Sequence, residues 1–255
     1  MLLVIDLGNT NTVFGVYTGG RLARSWRLST RLDRTVDEYG LLVRSLFGLE
    51  GLDVGAVQAV VIASVVPALD SRLTGMVEAC FGVPPLFVTA ENAGVKILYD
   101  DPREVGADRI SDAVAAIERY GGPVIVVDLG TATTFNAING RNEYLGGLIA
   151  PGVEVSARAL IDRAAKLPRV ELKRPDTLIG RSTTASLESG FFWGYVSLVD
   201  GIVDRMQAEL GGETRVVATG GWSRLIASES RRITVTDSDL TLDGLYLVAR
   251  RLSKI

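Results

Sequence analysis

The sequence predicts an α/β protein made of two similar halves, and three observations carry that expectation. An apolar run ending in an acid, a glycine and a cluster of threonines occurs twice, as "VIDLGNTNTVFGVY" from Val4 to Tyr17 and "VVDLGTATTFNAI" from Val126 to Ile138. Each copy opens a stretch in which strand-like runs give way to amphipathic helical ones. No linker rich in proline, serine or charge separates the two, so they are expected to pack directly on each other. Shifting the first copy by 122 positions lays Asp6 on Asp128, Leu7 on Leu129, Gly8 on Gly130 and Thr12 on Thr134. Two halves on one plan, residues 1–118 and 119–255, imply an internal pseudo-two-fold and a cleft between them.

The elements follow in order. "LLVID", "TVFGVYTGGRLARSWRLST" and "AVQAVVIASVV" are apolar or alternating runs broken by "TGG" and "GLEGLD", which reads as strands and a hairpin. "RTVDEYGLLVRSLFGL" and "PALDSRLTGMVEACFG" place apolar residues at helical spacing, and so does "ADRISDAVAAIERY". In the second half "PVIVVDLG" is a strand, "TTFNAINGRNEYLGGLIAPG" a hairpin with its return strand, and "GVEVSARALIDRAAKL" a helix. "ESGFFWGYVSLVDGIVDRM" is an aromatic-rich helical stretch that suits either a core or a subunit interface. "RVVATGG" is a late buried strand with a small-residue turn, and "TLDGLYLVARRLSKI" a closing helix.

Composition removes several classes of function. The net charge of -3 and scarcity of lysine leave no basic face for nucleic acid. A single cysteine, Cys80, excludes an internal disulfide framework. "MLLVID" meets Asp6 after five residues and has no basic leader, so it reads as a strand and not a signal peptide, and no apolar run is long enough to span a bilayer. A cytoplasmic location is therefore expected. With no histidine anywhere, proton transfer must fall to carboxylates, hydroxyls, arginine or lysine.

The bends themselves suggest a chemistry. Glycine lets the backbone approach a bound group closely, and main-chain N–H groups with the hydroxyls of Thr10, Thr12, Thr131, Thr133 and Thr134 are expected to line a donor-rich surface suited to a polyphosphate. An acid at the end of a buried strand needs a partner, which Mg2+, K+ or a hydrogen-bonded cap could each supply. "ATGG", Ala218 to Gly221, offers a flat seat for adenine or ribose. Neither the Walker pattern nor the dinucleotide fingerprint is present. In "VGADRISDAVAAIERY", Gly106, Asp108 and Arg109 stand at the start of a helix. There an acid can cap the helix or take a proton from a hydroxyl, and the exposed N–H groups with Arg109 can hold an anion. Thr183 in "GRST" reads as the N-cap of a helix beginning near Ala185.

The paired acid-glycine bends with a late "TGG" resemble the acetate and sugar kinase, chaperone and actin superfamily. That likeness implies two ribonuclease-H-like, actin-like ATPase halves with a nucleotide cleft between them. Within it, "DLGNTNT", "YDDPREVGADR" (Tyr99 to Arg109), "GGLIAPG" (Gly146 to Gly152) and "GRSTTASLESGFFWGY" (Gly180 to Tyr195) resemble the type III pantothenate kinases over essentially the entire chain. The resemblance implies ATP-dependent phosphorylation of pantothenate, the first step toward coenzyme A, with Asp108 as proton acceptor. It implies that pantothenate is bound by Tyr99, Gly106, Ala107, Asp108, Arg109 and Thr183. It implies that Asp6, Leu7, Gly8, Asn9, Thr10, Asn11, Thr12, Val13 and Thr131 hold the phosphates of ATP, with Asp6 near Mg2+, and that a monovalent cation, K+ or NH4+, sits on Asp128. A homodimer is implied too, with the pantothenate pocket and the cation at the subunit interface. Arg181 and Ser182 stand where many relatives carry Lys and Asn. The competing expectation is a nucleotide-binding regulatory or transcription accessory protein on the same fold; retention of Asp108 and Arg109, and the lack of a basic helix-turn-helix, favour the enzyme.

Overall fold

The computed structural model describes residues 1–164, 166–212 and 214–252. The chain forms two compact units, and neither is continuous in sequence. The first comprises Met1–Val95, Tyr99–Ala115 and Leu240–Ile255; the second comprises Lys96–Leu98 and Ala116–Asp239.

In the first unit, β1 (Leu2–Leu7), β2 (Asn11–Thr18), β3 (Arg21–Ser29), β4 (Ala59–Ser64) and β5 (Leu86–Phe87) form a sheet in the order β3-β2-β1-β4-β5. β1 is apolar on both faces because it is central, pairing antiparallel with β2 and parallel with β4. Its odd residues Leu3, Ile5 and Leu7 join Tyr39, Val43 and Phe47 of α1 (Val36–Leu49) and Leu69, Leu73 and Met76 of α2 (Pro67–Phe81) in one core. Helix α1 starts where Thr35 and Glu38 cap each other's backbone N–H in a capping box. The even face of β1 meets α7 (Leu240–Arg251), for a Cβ on Gly15 would lie 2.9 Å from Val4 Cγ2 and 3.2 Å from Leu242 Cδ1. The closing helix thus belongs with the first strands of the chain. It also crosses α3 (Ala107–Tyr120) so closely that any Cβ on Gly244 would collide with the Ser111 backbone. Asp112 fixes the same crossing by accepting from Thr241 Oγ1 at 2.7 Å.

The second unit repeats the plan. β6 (Val124–Leu129), β7 (Ala132–Ile138), β8 (Tyr144–Pro151), β9 (Arg215–Thr219) and β10 (Val235–Thr236) run in the order β10-β9-β6-β7-β8. Here too the first strand pairs antiparallel with the second and parallel with the fourth. α4 (Val153–Arg163), the 28-residue α5 (Thr183–Leu210) and the short α6 (Ser223–Ala227) complete it. Phe192, Tyr195, Val196, Val199 and Val203 of α5 enter the core with Leu129, Phe135 and Ile226, so this face of the aromatic stretch is core. Gly211, with φ 85°, ends α5 in the left-handed region.

The repeat is real, and its register needs one correction. Leu7 pairs with Thr12 in the first unit and Leu129 with Thr133 in the second. Thr133, and not Thr134, is therefore the counterpart of Thr12. The reason is the bend: three residues, 8–10, separate β1 from β2, but only two, 130–131, separate β6 from β7. The offset stays at 121 beyond it, since register shifts fall between Val16 and Tyr17 and between Ala137 and Ile138. No helix among the described residues is long and apolar enough to cross a membrane.

Candidate active site

In the first unit the β1–β2 bend is closed by Gly8 N donating to Asn11 O at 3.0 Å. A Cβ on Gly8 would come within 3.0 Å of that oxygen, so the turn is tight by necessity. Thr30, at the end of β3, supports it from outside: its hydroxyl donates to Gly8 O at 2.7 Å and lies 2.9 Å from Thr12 Oγ1. No motif marked Thr30 in the sequence, because its role depends on sheet pairing with a strand nearly twenty residues earlier. Asn9 and Thr10 are exposed at the tip, Asp6 and Gly8 are half-buried, and Leu7 and Thr12 are buried. Thr12 thus braces the bend from within, and Leu7 can reach a ligand only through its backbone.

The same unit brings Asp108 to this bend. Val65, just past β4, donates its N–H to Leu7 O at 3.1 Å, and its Cγ1 lies 3.4 Å from where a Gly106 Cβ would stand. Gly106 is required for a second reason: its Cβ would be 2.5 Å from Asp108 Oδ1. Asp108 sits in the first turn of α3 with Oδ1 accepting from Arg109 N at 2.7 Å. Burial pushes its carboxyl above the usual carboxylate range, against the Arg109 N–H and guanidinium, which pull it down. Arg109 is only 7% exposed, so its charge acts in a low-dielectric setting. Tyr99 is half-buried and begins the loop, in which Asp101 holds Arg103 through both its backbone and its guanidinium.

In the second unit three backbone segments converge on the other bend. A Cβ on Gly220, whose φ is +87°, would collide with Asp128 Oδ1, and one on Gly152 would collide with the carbonyl of Thr131. Gly152 N donates to Thr131 O at 3.2 Å, while Trp222 N donates to Leu129 O at 3.2 Å. The "ATGG" and "GGLIAPG" stretches are thereby explained as close-approach turns around the Asp128 bend, a role that only their glycines hint at in the sequence. Thr131 is exposed; Thr133 and Thr134 are buried. Of the five threonines expected to line a donor surface, Thr10 and Thr131 are the exposed ones, because strand alternation and the shorter second bend turn the others inward. Tyr195 ties α5 to this corner, with its hydroxyl donating to Pro151 O at 2.9 Å and lying 2.6 Å from Ser156 Oγ.

Thr183 does not cap α5. Ser182 does, accepting from Ala185 N at 3.1 Å, and Thr183 is the exposed first helical residue. The helix starts two residues earlier than its apolar periodicity suggests because Ser182, at the natural position for an N-cap, is the better-placed oxygen.

The family model described as type III pantothenate kinase matches residues 2–205. The chain belongs to the type III pantothenate kinase family. It is 55% identical to the type III pantothenate kinase of Myxococcus xanthus over 98% of both chains. With that of Koribacter versatilis it shares 50% identity over 98% of this chain and 96% of the relative. The fold is that of the inorganic polyphosphate/ATP-glucomannokinase of Arthrobacter sp. strain KM, matched with a TM-score of 0.51 at 18% identity over 99% of this chain and 98% of that one. Like that kinase, this member of the type III pantothenate kinase family is mixed α/β, with one five-stranded sheet in each unit.

Among the described residues no group of three or more His, Cys, Asp or Glu could cage a metal ion. The donors around each bend are carboxylate, carbonyl and hydroxyl oxygens, a set that fits a hard cation brought or shared by phosphate oxygens. Asp6, one residue before the end of β1, and Asp128, one residue before the end of β6, put one carboxylate beside each bend.

Proposed function

We propose that this protein transfers the γ-phosphoryl group of ATP, carried with a divalent metal, to the primary hydroxyl of pantothenate, giving 4'-phosphopantothenate and ADP. The observation that carries this reading is Asp108: a half-buried carboxylate with a raised pKa, beside a buried arginine, held next to the β1–β2 bend through Val65. In such a transfer the hydroxyl oxygen bonds to phosphorus, the bond to the β,γ-bridging oxygen breaks, and the hydroxyl proton passes to Asp108. Charge neutralisation and positioning supply most of the rate, so one carboxylate suffices as base. Tyr99, Gly106, Ala107 and Arg109 hold pantothenate in this reading, with the Arg109 guanidinium suited to its carboxylate. The bend from Asp6 to Val13, with Thr131, holds the phosphates; Mg2+ supplies charge neutralisation near Asp6, and K+ or NH4+ does so at Asp128.

A homodimer completes the proposal. Large exposed apolar side chains concentrate on β8, α4 and the loop before α5, including Leu148, Ile149, Leu160, Leu178 and Ile179. Thr183 is twelve residues, about 18 Å, up α5 from the Tyr195 corner, a placement suited to a pocket shared between subunits. Replacing Ile149 by Asp then halves the mass found by sedimentation; an unchanged mass removes this face as the contact. A cytoplasmic location fits a protein whose described helices include none able to span a membrane.

The deciding experiment is ATP consumption with pantothenate against other small alcohols, repeated with sodium in place of potassium. Turnover with pantothenate alone is the expected result. Equal turnover with any alcohol, or none at all, removes the assignment.

A further inference from the structure

A buried polar ladder runs behind the second bend. Asp128 in β6 has Thr134 as its cross-strand partner in β7, and Asn136 is the next residue on that face, opposite Val126. Asn136 Nδ2 donates to Thr134 Oγ1 at 3.3 Å, and the Tyr144 hydroxyl donates to Asn136 Oδ1 at 3.0 Å. Thr134, Asn136 and Tyr144 are 8%, 0% and 1% exposed. Satisfied polar groups at this depth fix geometry more than they add stability.

Tyr144 is itself clamped. Its backbone N donates to Lys96 O at 2.9 Å, its carbonyl accepts from Leu98 N at 2.8 Å, and Ile97 forms a parallel bridge to it. Next to it, Glu143 accepts from Lys96 Nζ at 2.8 Å, Asn139 Nδ2 at 2.8 Å and Arg141 Nε at 3.0 Å. These bonds fix the Tyr144 main chain against the strap 96–98 that leads into Tyr99.

We propose that Tyr144 is a positioning residue: through Asn136 and Thr134 its hydroxyl sets the orientation of the Asp128 carboxylate. The K+ readout of this role rests on the proposed reading that Asp128 holds the monovalent cation beside the nucleotide. Tyr144→Phe deletes only the hydroxyl, and Thr134→Val, of the same shape, breaks the ladder at its other end should the first variant not fold.

The test follows melting temperature against KCl, with choline chloride holding ionic strength constant, alongside KM for pantothenate. On the scale of one lost neutral hydrogen bond, the half-saturating K+ concentration rises on the order of 3- to 10-fold in either variant while KM for pantothenate stays put. A purely structural role lowers the melting temperature at every KCl concentration and leaves half-saturation at the wild-type value; that result overturns the ladder. Asp128→Ala separates this from the underlying reading. If Asp128→Ala loses the K+ response but Tyr144→Phe keeps wild-type half-saturation, the ladder alone fails. If Asp128→Ala keeps the K+ response, the cation assignment fails. The affinity for a non-hydrolysable ATP analogue, measured by calorimetry, then decides: weaker binding by Tyr144→Phe supports the ladder and equal binding overturns it.

Discussion

If Asp108 is the base proposed above, it is the residue on which chemistry and stability pull in opposite directions. Burial raises its pKa, so folding penalises the ionised carboxylate relative to the unfolded chain. Asp108→Asn is accordingly expected to lower turnover by about 10²- to 10⁴-fold while melting no lower than wild type. Calorimetry with a steady-state assay checks both halves; a variant with near-wild-type turnover removes the base. The sign of the pH dependence follows from the same shift. The working form is deprotonated, so kcat/KM falls on the acid side, and the fall begins at a higher pH than an ordinary aspartate near 3.9 gives. An acid limb at or below that value contradicts a buried base.

At the scale of elements, the two bends are framed by turns that only glycine fits. Gly220→Ala places a methyl group on Asp128 Oδ1 and asks alanine to hold φ +87°. The left-handed backbone alone costs roughly 1–2 kcal/mol, so the variant should unfold at lower denaturant and show a weakened potassium response. Wild-type behaviour in both measurements counts against the packing of "ATGG" onto β6. Most of this level was legible in the sequence, since the long strands declare themselves as apolar runs and α1 to α5 and α7 as 3.6-residue patterns. β5 and β10 escaped because two residues carry no periodicity. The one-residue difference between the bends escaped because "TNT" and "TATT" offer a threonine at either register. Asp108, Arg109 and the paired acids could be picked out as chemistry-bearing types, but the braces around them, Thr30, Val65, Asn136 and Tyr144, are ordinary residues made important by strand pairing.

For the molecule as a whole, the ion-pair cluster around Glu143 in the second unit contributes to acid tolerance. Lys96, Asn139 and Arg141 hold the Glu143 carboxyl well below the usual carboxylate range, at about 2. A depressed acid contributes stability that is present above the unfolded value, near 4.3, and is lost as pH falls through the folded one. The gap in stability between wild type and Glu143→Gln should therefore be constant near neutrality and shrink between about pH 4.3 and 2. Urea titrations over that range check it, and a gap that widens on acidification refutes the contribution.

The return of α7 to the opening strands has a temporal meaning. On the ribosome the second unit has all its strands before the last helix emerges, whereas β1 and β4 must keep one apolar face open until Leu242, Leu245 and Val248 arrive. The part made first is thus the part finished last, and a released chain ending at Asp239 should show protease protection for the segment from Ala116 onward but little for the amino-terminal strands.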